Sequence, residues 1–319
     1  MAEEIVSNVG PAGIDMAYER LGDPAGPPVL LIMGCGAQLI HWPDGFCAEL
    51  VDCGLQVIRF DNRDAGRSTH FTDGPQPDFQ AALAGDFTTV RYTLSDMAAD
   101  AIGLLDALGY ESAHIVGASQ GGMIAQSIAI EYPHRVRSLT SIISTTGNPE
   151  VGRTDMDAFG SQGPAPEGRA EFIEWQVRLR RTLGSPGFAY DAAAVADLAG
   201  RAYDRDNDRG ALIRQAAAVL ASGDRTARLR ELRVPTLVIH GTADLVIDIS
   251  GGEATAAAVP DAELITFAGM GHSLPRELWP VFADHIAGLV ERADTRNLLS
   301  NRRFRRGAAR RPGMSALGC

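Results

Sequence analysis

Lysine is missing from all 319 residues, so every basic side chain other than histidine is an arginine. High-GC coding favours arginine codons, and we attach no function to the bias. Cysteine is scarce: Cys35, Cys47, Cys53 and Cys319 are too few and too unevenly placed for a disulfide framework or a zinc site. A reducing cytosol is therefore the expected compartment. No apolar run is long enough to span a bilayer, which argues against stable membrane insertion. The acidic start Met1-Ala2-Glu3-Glu4 lacks the basic region and greasy stretch of a signal peptide, so a cytoplasmic location is expected. A net charge of -11 disfavours a nucleic-acid partner for the body of the chain.

The composition that remains is that of an ordinary globule, and the length suits one large α/β domain or a domain with an insertion. Strands are expected around Glu4–Val6 and Ile14–Tyr18, with a turn at Gly10-Pro11. Val29–Met33 is a continuous apolar run, read as a strand buried on both faces, and it stops at Gly34-Cys35-Gly36. A short helix over Phe46–Val51 leads to a strand at Leu55–Phe60 and a polar turn, Asp61–Ser68. Residues 69–92 show no strong period and read as a surface excursion. Ser95 is the expected N-cap of a helix closed by Gly109, with Met97, Ile102, Leu105 and Leu108 at helical spacing. Strands at 113–118 and Val136–Ile143 flank a further helix starting near Gly121. This alternation implies an α/β fold with a mostly parallel, doubly wound sheet.

From Gly147 to Leu229 the strand rhythm stops and helical patterns take over, around Phe172–Thr182, Ala192–Tyr203 and Leu212–Leu220. Strands resume at Val234–Gly241 and Glu263–Phe267, followed by a helix near Pro275–Val290. The expected organisation is core 1–146, helical cap or lid 147–229 inserted between sheet strands, and core 230–295. The stretch 296–319 is expected to be a disordered tail, and from Asn297 onward it has six arginines and no acidic residue.

Gly117-Ala118-Ser119-Gln120-Gly121 fits G-x-S-x-G, a nucleophile elbow that exposes a serine hydroxyl between a strand and a helix. Serine needs a base, and the base needs an orienting group. Reacting groups on a parallel sheet gather at the carboxyl ends of strands. Among seven histidines, His272 in Ala268-Gly269-Met270-Gly271-His272 is so placed, whereas His114 and His240 sit in strand geometry. His41 follows the 34–36 loop, and His41 and Trp42 are candidates for lining the pocket. Asp244 follows the 236–241 strand and is the expected acid, with Asp248 in reserve. Ser119, Asp244, His272 is also the chain order of an α/β-hydrolase triad. Gly117–Gly122 does not fit the dinucleotide-binding G-x-G-x-x-G, because position 119 is serine.

Four stretches carry a resemblance: Leu31-Ile32-Met33-Gly34-Cys35-Gly36-Ala37-Gln38, Arg59–Ser68, the Gly117–Gly122 elbow and Gly269-Met270-Gly271-His272. By these, residues 1 to about 295 resemble the α/β-hydrolase superfamily, and within it bacterial esterases and lipases of the aclacinomycin methylesterase and mycobacterial LipG type. The resemblance implies a serine esterase with no metal and no organic cofactor, acting on a small-molecule ester. It also implies that the backbone N–H groups of Cys35 and Gln120 form the oxyanion hole, with Asp61–Ser68 a supporting turn. Gln120 stands where many members have methionine, and Met33-Gly34 where others have His-Gly. Thioesterase, lactonase, carbon–carbon hydrolase and perhydrolase or acyltransferase chemistry remain open on the same triad, as does a receptor with vestigial turnover.

Overall fold

The computed structural model describes residues 3–308, with side chains through 296. In chain order the main elements are β1 (Glu4–Val9), β2 (Ile14–Leu21), β3 (Pro28–Ile32), α1 (Asp44–Asp52), β4 (Gln56–Phe60), α2 (Phe79–Leu83) and α3 (Leu94–Ala107). They continue with β5 (Ala113–Ala118), α4 (Gln120–Glu131), β6 (Val136–Ile142), α5 (Met156–Gly160), α6 (Arg169–Leu183), α7 (Ala192–Arg205) and α8 (Ala211–Ser222). The last are α9 (Thr226–Leu229), β7 (Thr236–Gly241), α10 (Ile249–Ala258), β8 (Glu263–Phe267) and α11 (Trp279–Ala308).

The eight strands form one sheet in the order β1-β2-β4-β3-β5-β6-β7-β8. The β1–β2 and β2–β4 pairs are antiparallel and the rest are parallel, which is the mostly parallel sheet expected. Strand alternation distributes the core over both faces. In β3, Leu30 and Ile32 pack on one face with Ile115, Ile124 and Leu104. Val29 and Leu31 pack on the other with Val116, Leu237 and Phe282. Both faces are covered by helices, so the central strands read as unbroken apolar runs.

Local differences from the sequence reading have local causes. Helix α3 begins two residues earlier than expected, because the N-cap is Thr93. The Asp96 carboxylate accepts the Thr93 N–H at 2.8 Å, and Ser95 is spent on Glu131 instead, its hydroxyl donating at 2.7 Å. Residues 69–92 contain a short helix, α2, capped by Asp78, whose side chain accepts from Ala81 N–H. The break expected at 295/296 is absent, since α11 continues to Ala308. Arginine, leucine and alanine are good helix formers, so a basic stretch can extend a helix already docked at its start. The rest of the expected tail, 309–319, lies outside the described residues. Helices α5 to α9 fall between β6 and β7, where the insertion was expected.

Candidate active site

Ser119 stands between the carboxyl end of β5 and the first residue of α4. Its backbone is at φ 57°, ψ -123°, a conformation rarely adopted by a residue with a side chain. Such strain costs on the order of 1–3 kcal/mol and persists only where surroundings enforce it. The surroundings here are two glycines. A Cβ on Gly117 would lie 2.0 Å from the Gly121 carbonyl oxygen, and one on Gly121 would lie 2.0 Å from that of Ile32. The elbow glycines therefore let α4 cross against β3 and β5 without a side chain between them.

His272 arrives on the loop after β8. Its N–H donates to the Leu183 carbonyl at 2.9 Å, and Gly271 N–H donates to Ser185 Oγ at 3.0 Å. The end of α6 thus braces the histidine loop. His272 Nε2 lies 3.0 Å from Ser119 Oγ, and Nδ1 lies 2.8 Å and 3.0 Å from the two Asp244 oxygens. Asp244 follows β7, and its side chain is fully buried. Its Oδ1 also accepts the N–H groups of Val246 at 2.8 Å and Ile247 at 3.0 Å, which fixes the carboxylate plane. Three expected residues from three loops therefore meet at one point. Asp248 does not join them: it caps α10, accepting Ser250 N–H at 3.0 Å. His240 and His114 are buried, bonded to the Ile247 carbonyl at 2.9 Å and the Ser138 hydroxyl at 2.8 Å. Burial holds both imidazoles below their ordinary range.

The 34–36 loop passes directly over the elbow. A Cβ on Gly34 would come within 3.0 Å of Ser119 Cβ. Neither the Cys35 nor the Gln120 backbone N–H donates to any described group, so both remain available beside Ser119. The Cys35 thiol lies 3.6 Å from the Leu212 carbonyl, and burial pushes it up to about 12, leaving it protonated at neutral pH. The Asp61–Ser68 turn supports this loop from below. Asn62 Nδ2 donates to the Met33 carbonyl at 3.0 Å, and Asp61 Oδ1 accepts Leu39 N–H at 2.6 Å.

Of the two pocket candidates, His41 is half-buried, and its Nδ1 accepts Gln38 N–H at 3.0 Å. Burial first, and the Arg180 charge second, depress its imidazole to about 3. Trp42 lies elsewhere. It is fully buried in the core on the far face, its ring stacked on Phe46 at 5.6 Å, so it does not line a pocket. A large aromatic beside a buried helix gains more from that core than from a cleft.

Sequence reading missed the contribution of α8. Arg214 is buried, with its guanidinium 2.7 Å from Asp64 Oδ1 and also bonded to Asp208. Gln215 is buried and accepts Gly36 N–H at 2.7 Å. Nothing in the local sequence marks either residue. Among the described residues Asp64, His70 and Asp208 are close enough together to suggest a metal cluster, but the Arg214 cation already bonds both carboxylates.

A strained serine between strand and helix, a histidine within hydrogen-bond reach of it, and a buried carboxylate behind that histidine define a class. The chain belongs to the α/β-hydrolase family: the model of the alpha/beta hydrolase fold matches residues 27–275. It is a hydrolytic enzyme resembling bacterial methylesterases. The rhodomycin D methylesterase of Streptomyces peucetius is 30% identical over 281 residues, covering 81% of this chain and 88% of that one. The 2-hydroxymuconate semialdehyde hydrolase of Pseudomonas putida is 28% identical, covering 84% of this chain and 89% of its own. Among solved structures, a hydrolase from Pseudomonas aeruginosa superposes with a TM-score of 0.67 at 25% identity, covering 91% of this chain and 97% of the other.

Proposed function

We propose that the protein hydrolyses carboxylic esters of small molecules through an acyl-enzyme on Ser119. The observation that carries this reading is the 3.0 Å approach of His272 Nε2 to Ser119 Oγ, with Asp244 2.8 Å from the opposite ring nitrogen. His272 accepts the hydroxyl proton as Oγ attacks the ester carbonyl. The carbonyl electron pair moves onto oxygen, where the Cys35 and Gln120 N–H groups receive it. Removal of one such donor typically costs roughly 10²–10³ in rate. The tetrahedral intermediate collapses as His272 returns the proton to the leaving alcohol. Water, deprotonated by the same imidazole, then releases the acid and restores Ser119. Asp244 keeps the proton on Nδ1 and stabilises the imidazolium. No step calls for a metal or an organic cofactor.

The methylesterase relatives favour a methyl or other short alkyl ester of a larger acid. Helices α5 to α9 would form the cap that holds the acid portion, with Leu183 and Ser185 at the edge nearest His272. A second reading, carbon–carbon bond hydrolysis, draws on the semialdehyde hydrolase relative. A panel of methyl and p-nitrophenyl esters, thioesters, lactones and a vinylogous diketone separates these. Ester turnover that Ser119→Ala abolishes, in a protein of unchanged circular dichroism, is the expected outcome. Wild-type turnover in that variant would sink the mechanism.

A further inference from the structure

We infer that Gln215, carried on α8 of the helical insertion, is the positioning residue of the oxyanion hole. The inference rests on the ester-hydrolase reading, and it concerns how the hole is held in shape. Gln215 is fully buried and makes three contacts with the site. Its Oε1 accepts Gly36 N–H at 2.7 Å, its Nε2 donates to the Arg63 carbonyl at 2.7 Å, and its own carbonyl accepts Gln120 Nε2 at 3.0 Å. One residue therefore touches the loop of one oxyanion donor, Cys35, and the side chain of the other, Gln120.

The loop has few other restraints, one of them the Cys35 thiol, which reaches the Leu212 carbonyl at 3.6 Å. At its start, Asn62 holds the Met33 carbonyl; within it, Ala37 N–H donates to the Gly34 carbonyl at 3.1 Å. Gly36, at φ 66°, lies in the left-handed region. Among the described residues, Gln215 alone supplies a side-chain partner to its N–H. Without that partner the Cys35–Gly36 peptide can rotate, and the adjoining Gly34–Cys35 peptide, which carries the Cys35 N–H, loses the support that aims it at Ser119. An amide side chain suits the task because it accepts and donates at once, tying Gly36 to Arg63 through one rigid plane. The clamp is itself anchored, since the preceding residue, Arg214, is bonded to Asp64 and Asp208. Correct seating of the insertion on the core is thereby coupled to a working oxyanion hole.

Gln215→Met keeps the volume and removes both side-chain bonds. A misplacement of about 1 Å at a reacting centre can cost on the order of 10² in rate, and the loss is expected in kcat with KM little changed. An alkyl trifluoromethyl ketone is the probe. Ser119 Oγ adds to its carbonyl carbon, the serine proton passes to His272, and the oxygen becomes an oxyanion in the hole. Its inhibition constant should weaken in proportion to the fall in kcat/KM, while the acid product, which carries no tetrahedral oxyanion, binds as before. Gln215→Glu provides the second variant. A protonated glutamic acid can still accept from Gly36 and donate to Arg63, so its activity relative to wild type should rise as pH falls, whereas the relative activity of Gln215→Met stays flat. Unchanged kcat and unchanged ketone inhibition in Gln215→Met, with only a lower melting temperature, would overturn the clamp and leave a purely structural glutamine. A wild-type protein without ester turnover would overturn the hydrolase reading and the clamp with it.

Discussion

Replacing Asp244 by asparagine exchanges one carboxylate oxygen for an NH₂ group and inverts the hydrogen-bond polarity behind His272. The direction in which the new side chain will lie follows from its neighbours. Oδ1 accepts from Val246 N–H at 2.8 Å and Ile247 N–H at 3.0 Å, so the asparagine must keep its carbonyl oxygen there. Its NH₂ group then occupies the Oδ2 position, 2.8 Å from His272 Nδ1, and donates to it. Nδ1 can no longer carry the proton. The proton moves to Nε2 and faces Ser119 Oγ across 3.0 Å, so the ring has no lone pair for the serine hydroxyl. A wrong-tautomer histidine in a Ser-His-Asp site costs on the order of 10⁴ in kcat. That corresponds to about 5 kcal/mol of transition-state stabilisation. Folding should be nearly unaffected, because every backbone donor keeps its acceptor. The assay is steady-state hydrolysis of p-nitrophenyl acetate, with Asp248→Asn measured alongside. Asp248 caps α10, so its replacement should lower stability by about 1 kcal/mol or less and leave kcat alone. A loss below tenfold in Asp244→Asn, or an equal loss in Asp248→Asn, would refute the assignment of Asp244.

Two further outcomes are expected. Arg214→Met leaves Asp64 and Asp208 without their shared guanidinium and should destabilise the fold by roughly 3–5 kcal/mol, read from urea denaturation; a change under 1 kcal/mol would count against the ion pair as an anchor. Acidification should weaken the fold through His114, which burial depresses from 6.5 to about 4. Above pH 6.5 the imidazole is neutral folded and unfolded and contributes nothing. Below it the unfolded chain takes up a proton that the folded chain refuses, so stability falls with pH until about pH 4. His114→Gln should flatten that part of the profile in denaturation series between pH 7 and pH 4.5, and identical slopes would contradict the assignment.

Much of this site was legible in the chain because its cues are local. The elbow announces itself through Gly117 and Gly121, which are required by a close crossing, and the strands at 236–241 and 263–267 have proline before them and glycine at or after their ends. His272 and Asp244 follow from strand ends, so topology alone nominated them. What escaped detection depends on distant partners. Gln215 meets Gly36 across 179 residues of chain, and no periodicity records such a contact. The N-cap of α3 was misplaced because Thr93 and Ser95 are both capping types, and the choice fell to Asp96, which reaches back to Thr93. Trp42 was misassigned because its nearness in sequence to the oxyanion loop says nothing about direction; its ring turns to Phe46 and the core.

The central claim is that Ser119 becomes covalently acylated. A p-nitrophenyl alkylphosphonate forms a stable adduct with an activated serine, and peptide mapping by mass spectrometry locates it. Stoichiometric modification of Ser119 is expected, blocked by prior incubation with an ester substrate and absent in Asp244→Asn on the same timescale. Undiminished ester turnover with no adduct at Ser119, or modification at another residue that abolishes activity, would contradict the claim.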